Sequence, residues 1–127
     1  MNWLELISVI KTGESNTVKF FGKDMTLDEV GIAIVAMANT KAGRIFLGID
    51  IRNCHLYGAL ETTDTLNTLI STHCRPAINI STERIIKNDK TILAIHINET
   101  ESRPYYFKNM CYIMDGKTPR LALLEKS

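Results

Sequence analysis

Little in this sequence is extreme, and each shortage narrows what the chain can be. Only three cysteines occur, Cys54, Cys74 and Cys111, far apart and odd in number. They form no disulfide framework and fit small buried thiols in a reducing, cytoplasmic setting. His55 beside Cys54 and His73 beside Cys74 lack the two- to four-residue spacing of zinc ligands, so no metal or other cofactor is expected. The longest apolar run, Gly31 to Ala38, falls far short of the ~20 residues a bilayer span requires. The amino terminus has no basic segment followed by an apolar core, so it does not read as a signal peptide, and no membrane role is expected. No repeat, low-complexity tract or Pro/Gly/Ser-rich linker divides the chain, which is read as one domain over residues 1–127.

Net charge is also scarce. Fifteen Lys and Arg against fourteen Asp and Glu leave +1 and a pI of about 7.7. A domain devoted to non-specific nucleic-acid binding is usually much more basic, with pI above ~9. A nucleic-acid role must therefore rest on a local cluster, and the best candidate is the stretch from Glu101 onward, with Arg103, Lys108, Lys117, Arg120 and Lys126. A solvated face accounts for the same bias.

What is present is a balanced globular composition, 45% hydrophobic and 23% charged. A chain of this length buries roughly two-thirds of its unfolded surface, enough for a core without a staple. Trp3, Leu6, Ile7 and Ile10 recur at helical spacing and predict a first helix that stops near Thr12-Gly13. Thr17 to Phe21 reads as a strand. Thr26-Leu27-Asp28-Glu29 is a capping box opening a helix to about Asn39, apolar nearly all round and so buried on more than one side. Arg44 to Asp50 is a strand, with Ile45, Leu47 and Ile49 on one face and Phe46, Gly48 and Asp50 on the other.

Thr63 or Asp64 caps a third helix with Leu66, Leu69, Ile70 and His73 on one face, ended by Arg75-Pro76. Ala77 to Lys87 and Thr91 to Ile97 form a hairpin around Asn88-Asp89. Tyr105 to Lys108 and Met110 to Met114 are short strands, and the tail from Thr118 is expected to form a helical turn. Helices alternate with strands early and hairpins dominate late, which predicts an α+β fold: a mixed β-sheet packed on two or three helices.

Four features occur in a fixed order. Gly13-Glu14-Ser15-Asn16-Thr17-Val18-Lys19-Phe20 precedes the capped helix. Ala36-Met37-Ala38-Asn39-Thr40-Lys41-Ala42-Gly43 joins that helix to a strand ending Leu47-Gly48-Ile49-Asp50. Tyr57-Gly58 follows, and Ser102-Arg103-Pro104-Tyr105-Tyr106 precedes Cys111-Tyr112-Ile113-Met114-Asp115-Gly116-Lys117. Over nearly the whole chain this order resembles the AlbA-type domain of the Schlafen family. That domain opens many bacterial transcriptional-regulator-like proteins and builds the Schlafen core in animals.

The resemblance implies nucleic-acid binding. It also implies, for some members, cleavage of tRNA-like RNA by three acidic residues holding Mg²⁺ or Mn²⁺. Of those three acids this chain keeps Glu14; the second position is Lys19 and the third is Ile51, with Asp50 beside it. Alternation along a strand predicts that Asp50 points away from the site. One carboxylate beside a lysine makes a poor divalent site, so the nuclease chemistry is expected to be lost. The altered acid set Glu14, Asp50 and Glu61 is the alternative.

Other departures are Ala42-Gly43 for the family's Gly-Gly and Met114 for its usual Arg. Asn39 and Thr40 are either helix-ending residues or ligand contacts. Lys19 is either a strand residue paired with Glu14 or a phosphate contact. Tyr105 and Phe107 share a strand face that suits base stacking or a core equally. The expected function is a DNA- or RNA-binding module, with Lys19, Lys41, Arg44, Arg103, Lys108, Lys117 and Arg120 on phosphates and Tyr105 or Tyr106 stacking. The alternatives are the endoribonuclease with altered acids, and a protein-interaction domain. By analogy with the paired lobes of the Schlafen core, a homodimer is expected.

Overall fold

The computed structural model describes residues 1–61, 63–99 and 102–122. Three helices, α1 (Trp3–Thr12), α2 (Leu27–Thr40) and α3 (Thr63–His73), accompany ten strands. In chain order the strands are β1 (Val18–Phe21), β2 (Gly43–Leu47), β3 (Ile49–Asp50), β4 (His55–Leu56), β5 (Cys74–Arg75), β6 (Ile80–Lys87), β7 (Lys90–Ile97), β8 (Tyr106–Phe107), β9 (Tyr112–Asp115) and β10 (Thr118–Leu121). This is the expected α+β fold. Capping chemistry sets where α1 and α2 begin. Asn2 and Glu5 cap α1 reciprocally, at 2.9 and 2.8 Å, and Thr26 and Glu29 do the same for α2, at 3.1 and 2.8 Å.

The main sheet has the order β1-β2-β7-β6. β1 and β2 are parallel, with Lys19 beside Ile45 and Val18 beside Arg44, because α2 provides the crossover between them. The β6–β7 hairpin extends the sheet antiparallel; its turn residues Asn88 and Asp89 take φ of 53° and 62°, as a tight two-residue connection requires. α2 is buried along Val30 to Ala38 because its second flank is covered by the β9–β10 hairpin and by Phe107. Phe21, Ile45, Leu47, Leu93, Ile95 and Ile97 complete that layer. The opposite sheet face buries Val18, Phe20, Phe46, Ile85, Ile92 and Ala94 under Leu6 of α1.

Two expectations need correction. The tail from Thr118 is a strand, not a helical turn: Thr118 pairs with Asp115 and Leu121 with Tyr112. Gly116, at φ 62°, makes the tight reversal that lets the chain fold back on β9. Residues 123–127 lie outside the described residues.

The single strand expected from Arg44 to Asp50 breaks at Gly48, whose φ of 104° is open to glycine. An added Cβ there would lie 2.6 Å from the Ala59 amide nitrogen. The break resets the alternation, so Ile49 joins Phe46 on the α1 face rather than Ile45 and Leu47 on the α2 face.

Candidate nucleic-acid interface

β1 is an edge strand, and a cleft of about 490 Å³ runs beside it. Glu14, Lys19, Lys23, Glu29, Asp50, Ile51, Arg52, Tyr57 and Lys117 are among its lining residues. The reset at Gly48 explains why Asp50 and Ile51 both reach it, against the expectation that Asp50 points away. Asp50 is turned to the Lys19 side of the sheet, and Ile51 begins the turn that follows.

Two acids of this cleft, Glu14 and Asp50, are already engaged. Glu14 Oε2 accepts the Phe20 N–H at 3.0 Å and lies 3.7 Å from Lys19 Nζ. Its carboxylate thus covers one outward N–H of the edge strand, a group that would otherwise invite a foreign strand. Asp50 accepts three bonds from Arg52: from its backbone N–H at 2.9 Å, Nε at 3.1 Å and Nη2 at 2.8 Å. Those bonds hold the Asp50 carboxyl below its ordinary pKa.

Glu61, the third member of the altered acid set, does not line the cleft. Among the described residues no group of three or more His, Cys, Asp or Glu is placed to hold a metal ion. The residues present therefore do not fit the divalent site of the nuclease members, because Lys19 and Arg52 supply the positive charge a cation would bring.

Lys19 belongs to the α2 side of the sheet. Its ammonium sits 5.4 Å from the Phe21 ring centre and donates to the Lys117 carbonyl at 3.4 Å. Lys19 and the β9–β10 turn therefore meet at the mouth of the cleft. Arg44, paired in register with Val18, projects on the opposite face, with its guanidinium 5.9 Å from the Phe46 ring centre. Lys41 ends α2 and is exposed. Arg103 donates to the Asn39 and Thr40 carbonyls at 3.4 Å each, satisfying the helix C-terminus, and lies 3.9 Å from Glu99. Lys41, Arg44 and Arg103 thus lie where α2 stops and β2 begins, and Lys19 and Lys117 meet at the cleft beside β1, with Lys19 and Arg44 on opposite faces of the sheet.

Two sequence-predicted cations sit differently. Lys108 pairs with Asp28 at 2.9 Å, in the first turn of α2. That is roughly 18 Å along the helix from its C-terminus at 1.5 Å per residue. Arg120 holds Asp115 at 3.1 Å across the β9–β10 hairpin. Lys41, Arg44 and Lys117 have no carboxylate partner among the described residues.

Tyr105 needs correction as a stacking residue. It is 2% exposed and packs with Phe107 in the core, because alternation turned that face inward. Tyr106, its neighbour, is half-buried. Asn39 and Thr40, the other open pair, have internal partners. Asn39 Nδ2 donates to the Tyr105 and Tyr112 carbonyls, both at 2.9 Å, and its Oδ1 accepts the Tyr105 N–H at 2.7 Å. Thr40 Oγ1 donates to the Ala36 carbonyl and accepts the Met114 N–H at 2.9 Å. The sequence did not single out Lys23, whose ammonium lies 6.0 Å from the Tyr57 ring centre, and it weighed His55, whose ring is 4.3 Å from that of Tyr57, only as a zinc ligand. A Lys-to-aromatic approach between distant segments leaves no spacing signal in one dimension.

Compared with known families, the chain matches Schlafen, AlbA_2 over residues 4–122. None of the curated proteins matches it. Among solved structures, it is similar to the DIP2311 protein from Corynebacterium diphtheriae, with TM-score 0.66 and 18% identity; the match covers 94% of this chain and 26% of that one. It is also similar to the N-terminal domain of a RecG-related protein from Nitrosomonas europaea, with TM-score 0.59 and 20% identity, over 82% of this chain and 78% of that one. The chain thus spans about a quarter of the DIP2311 protein, and both likenesses are of fold.

Proposed function

Because the chain belongs to the Schlafen AlbA_2 family, a nucleic-acid-related domain, we propose that it is a DNA-binding module of a transcriptional-regulator-like protein, without nuclease activity. The observation that carries the reading is the rim of cations at the α2 C-terminal end and the cleft beside β1, where Lys41, Arg44 and Lys117 are free of carboxylates among the described residues and Lys19 and Arg103 flank them. Phosphate contacts of this kind fix position and leave base sequence unread. Lys108 and Arg120, each held by a carboxylate, contribute less. The free thiols Cys54, Cys74 and Cys111 support a cytoplasmic setting.

Fluorescence anisotropy of labelled duplex DNA, single-stranded DNA and hairpin RNA across a salt titration tests the reading. Affinity falls steeply with salt, and Lys41→Glu with Arg44→Glu makes the slope shallower by about one for each phosphate that is no longer neutralised. Lys108→Glu, at the far end of α2, serves as the comparison and changes little. Unchanged affinity in the double variant removes the assignment. Oligonucleotide cut in the presence of Mg²⁺ or Mn²⁺ removes the non-catalytic half of it.

A second reading, self-association, is favoured by β6. It is the other edge of the main sheet, and Ile86 on it is 69% exposed. Counting from the tight turn, Ile80, Thr82, Arg84 and Ile86 direct their N–H and C=O groups outward. Antiparallel pairing with a second copy that sets Ile80 against Ile86 satisfies all four on each strand. Analytical ultracentrifugation reads this directly: a dimer dissociated by Thr82→Pro supports it, and a monomer at all concentrations removes it.

A further inference from the structure

Beyond the rim that contacts phosphates, we propose a track for unpaired bases across the β3–β4 hairpin, formed by Trp3, His55 and Tyr57 with Lys23, Lys87 and Lys90. The proposal rests on the nucleic-acid reading above and names the ligand as a single strand. Its centre is the His55–Tyr57 pair, with ring centres 4.3 Å apart and planes tilted by 50°. His55 is exposed and Tyr57 half-buried, and neither belongs to a core layer, so burial does not explain these two rings.

On one side of the pair, Tyr57 lines the 490 Å³ cleft, with Lys23 6.0 Å from its ring centre. On the other, His55 lines a second depression of about 400 Å³ that also includes Trp3 and Lys90. No carboxylate lines that second depression among the described residues, in contrast to the first. Trp3 packs one side against the core beneath α1, and Lys87 approaches its ring centre to 5.6 Å.

Three rings and three ammonium groups therefore lie along a path from one depression to the other, with Lys23 over Tyr57, Tyr57 beside His55, and Trp3 with Lys87 and Lys90 beyond. This is the arrangement that takes successive bases on π-faces while cations follow the backbone, and it tolerates any sequence because every base has a π-face. A duplex cannot use it, since its bases are already stacked and paired. The composition has no linear signature: the rings come from α1, β4 and the loop after it, and the lysines from the loop after β1 and from the β6–β7 hairpin.

The chain has one tryptophan, so its emission reports on this track alone. Titrating an oligothymidylate of about 12 nucleotides, within the range such sites occupy, quenches Trp3 emission, whereas a duplex of the same length does not. His55→Ala and Tyr57→Ala each weaken single-strand binding by about tenfold, as removing one stacked base does. Both variants keep the circular dichroism of the parent and its duplex affinity. If anisotropy shows the single strand bound while Trp3 emission and both variants' affinities stay unchanged, the track is wrong and the phosphate rim stands. If neither single strand nor duplex binds, both readings fall together.

Discussion

Asn39 ties the end of α2 to Tyr105 by a two-way amide bridge, donating to the Tyr105 carbonyl at 2.9 Å and accepting its N–H at 2.7 Å. The same side chain also donates to the Tyr112 carbonyl. The Ala-Asn-Thr segment that carried part of the resemblance therefore has a structural task in this chain: it clamps the helix to the Arg103–Tyr106 segment and to β9. Asn39→Ala leaves two or more half-buried backbone groups without partners, at about 1–3 kcal/mol each. We expect a loss of roughly 2–4 kcal/mol in urea unfolding. Asn39→Asp should lose a similar amount, because a carboxylate accepts but cannot donate to the two carbonyls. Retained stability in Asn39→Asp would show that the acceptor half alone suffices.

Lys19 stands where the resemblance implies an acid in the nuclease members, and its ammonium lies 3.7 Å from Glu14. Replacing that ammonium by a carboxylate, and adding a second at the neighbouring wall, should create the site that the present residues do not make. The double substitution Lys19→Glu with Ile51→Asp is expected to destabilise the protein in chelator through like-charge repulsion. It should then show a rise in Tm with Mn²⁺, since a ligand bound only by the folded state stabilises it. The parent should show no such rise. An equal metal response in both proteins would mean that Glu14 and Asp50 bind the ion despite Lys19 and Arg52.

Most of the fold is legible because its signals are local. Thr26 with Glu29 announces α2, Asn88-Asp89 announces the β6–β7 hairpin, and Leu66, Leu69 and Ile70 give the buried stripe of α3. The failures share a cause as well. Gly48 carries a backbone turn that a period of two cannot register, so alternation misplaces the face of Asp50. Thr118 to Leu121 has weak intrinsic preference and becomes a strand only because β9 is beside it. Tyr105 is ambiguous in sequence because stacking surfaces and cores draw on the same residues. Which cations converge depends on register: adjacent residues of β1 and β2 place Lys19 and Arg44 on opposite faces.

Gly31 lies in the middle of α2, where glycine usually costs about 1 kcal/mol relative to alanine. Its reason is Phe107: a Cβ at Gly31 would lie 2.3 Å from the ring's Cε1. Phe107 is 2% exposed and hemmed in by α2 and α3, so its ring has little room to yield. Overpacking of this kind costs typically ~1–3 kcal/mol or more, which outweighs the helix-propensity gain. Gly31→Ala is therefore expected to lower stability on balance. Adding Phe107→Leu to it should cost less than the two single effects together, because the smaller side chain vacates the space. Additive losses in the double-variant cycle would remove the steric explanation.

The three thiols should separate cleanly by reactivity. Burial pushes the Cys74 thiol up to about 11, and Cys111 is also raised by burial, so both stay protonated well above neutral pH. Only the thiolate attacks an alkylating agent, and the neutral thiol is inert. Cys54, by contrast, is exposed in the turn between β3 and β4. Brief treatment of the folded protein with iodoacetamide near pH 8 should therefore add a single group, on Cys54, and all three only after unfolding. Intact-mass and peptide mass spectrometry give the count and the position. Rapid labelling of Cys74 under native conditions would mean that the packing of α3 and β5 against β8 opens on that timescale.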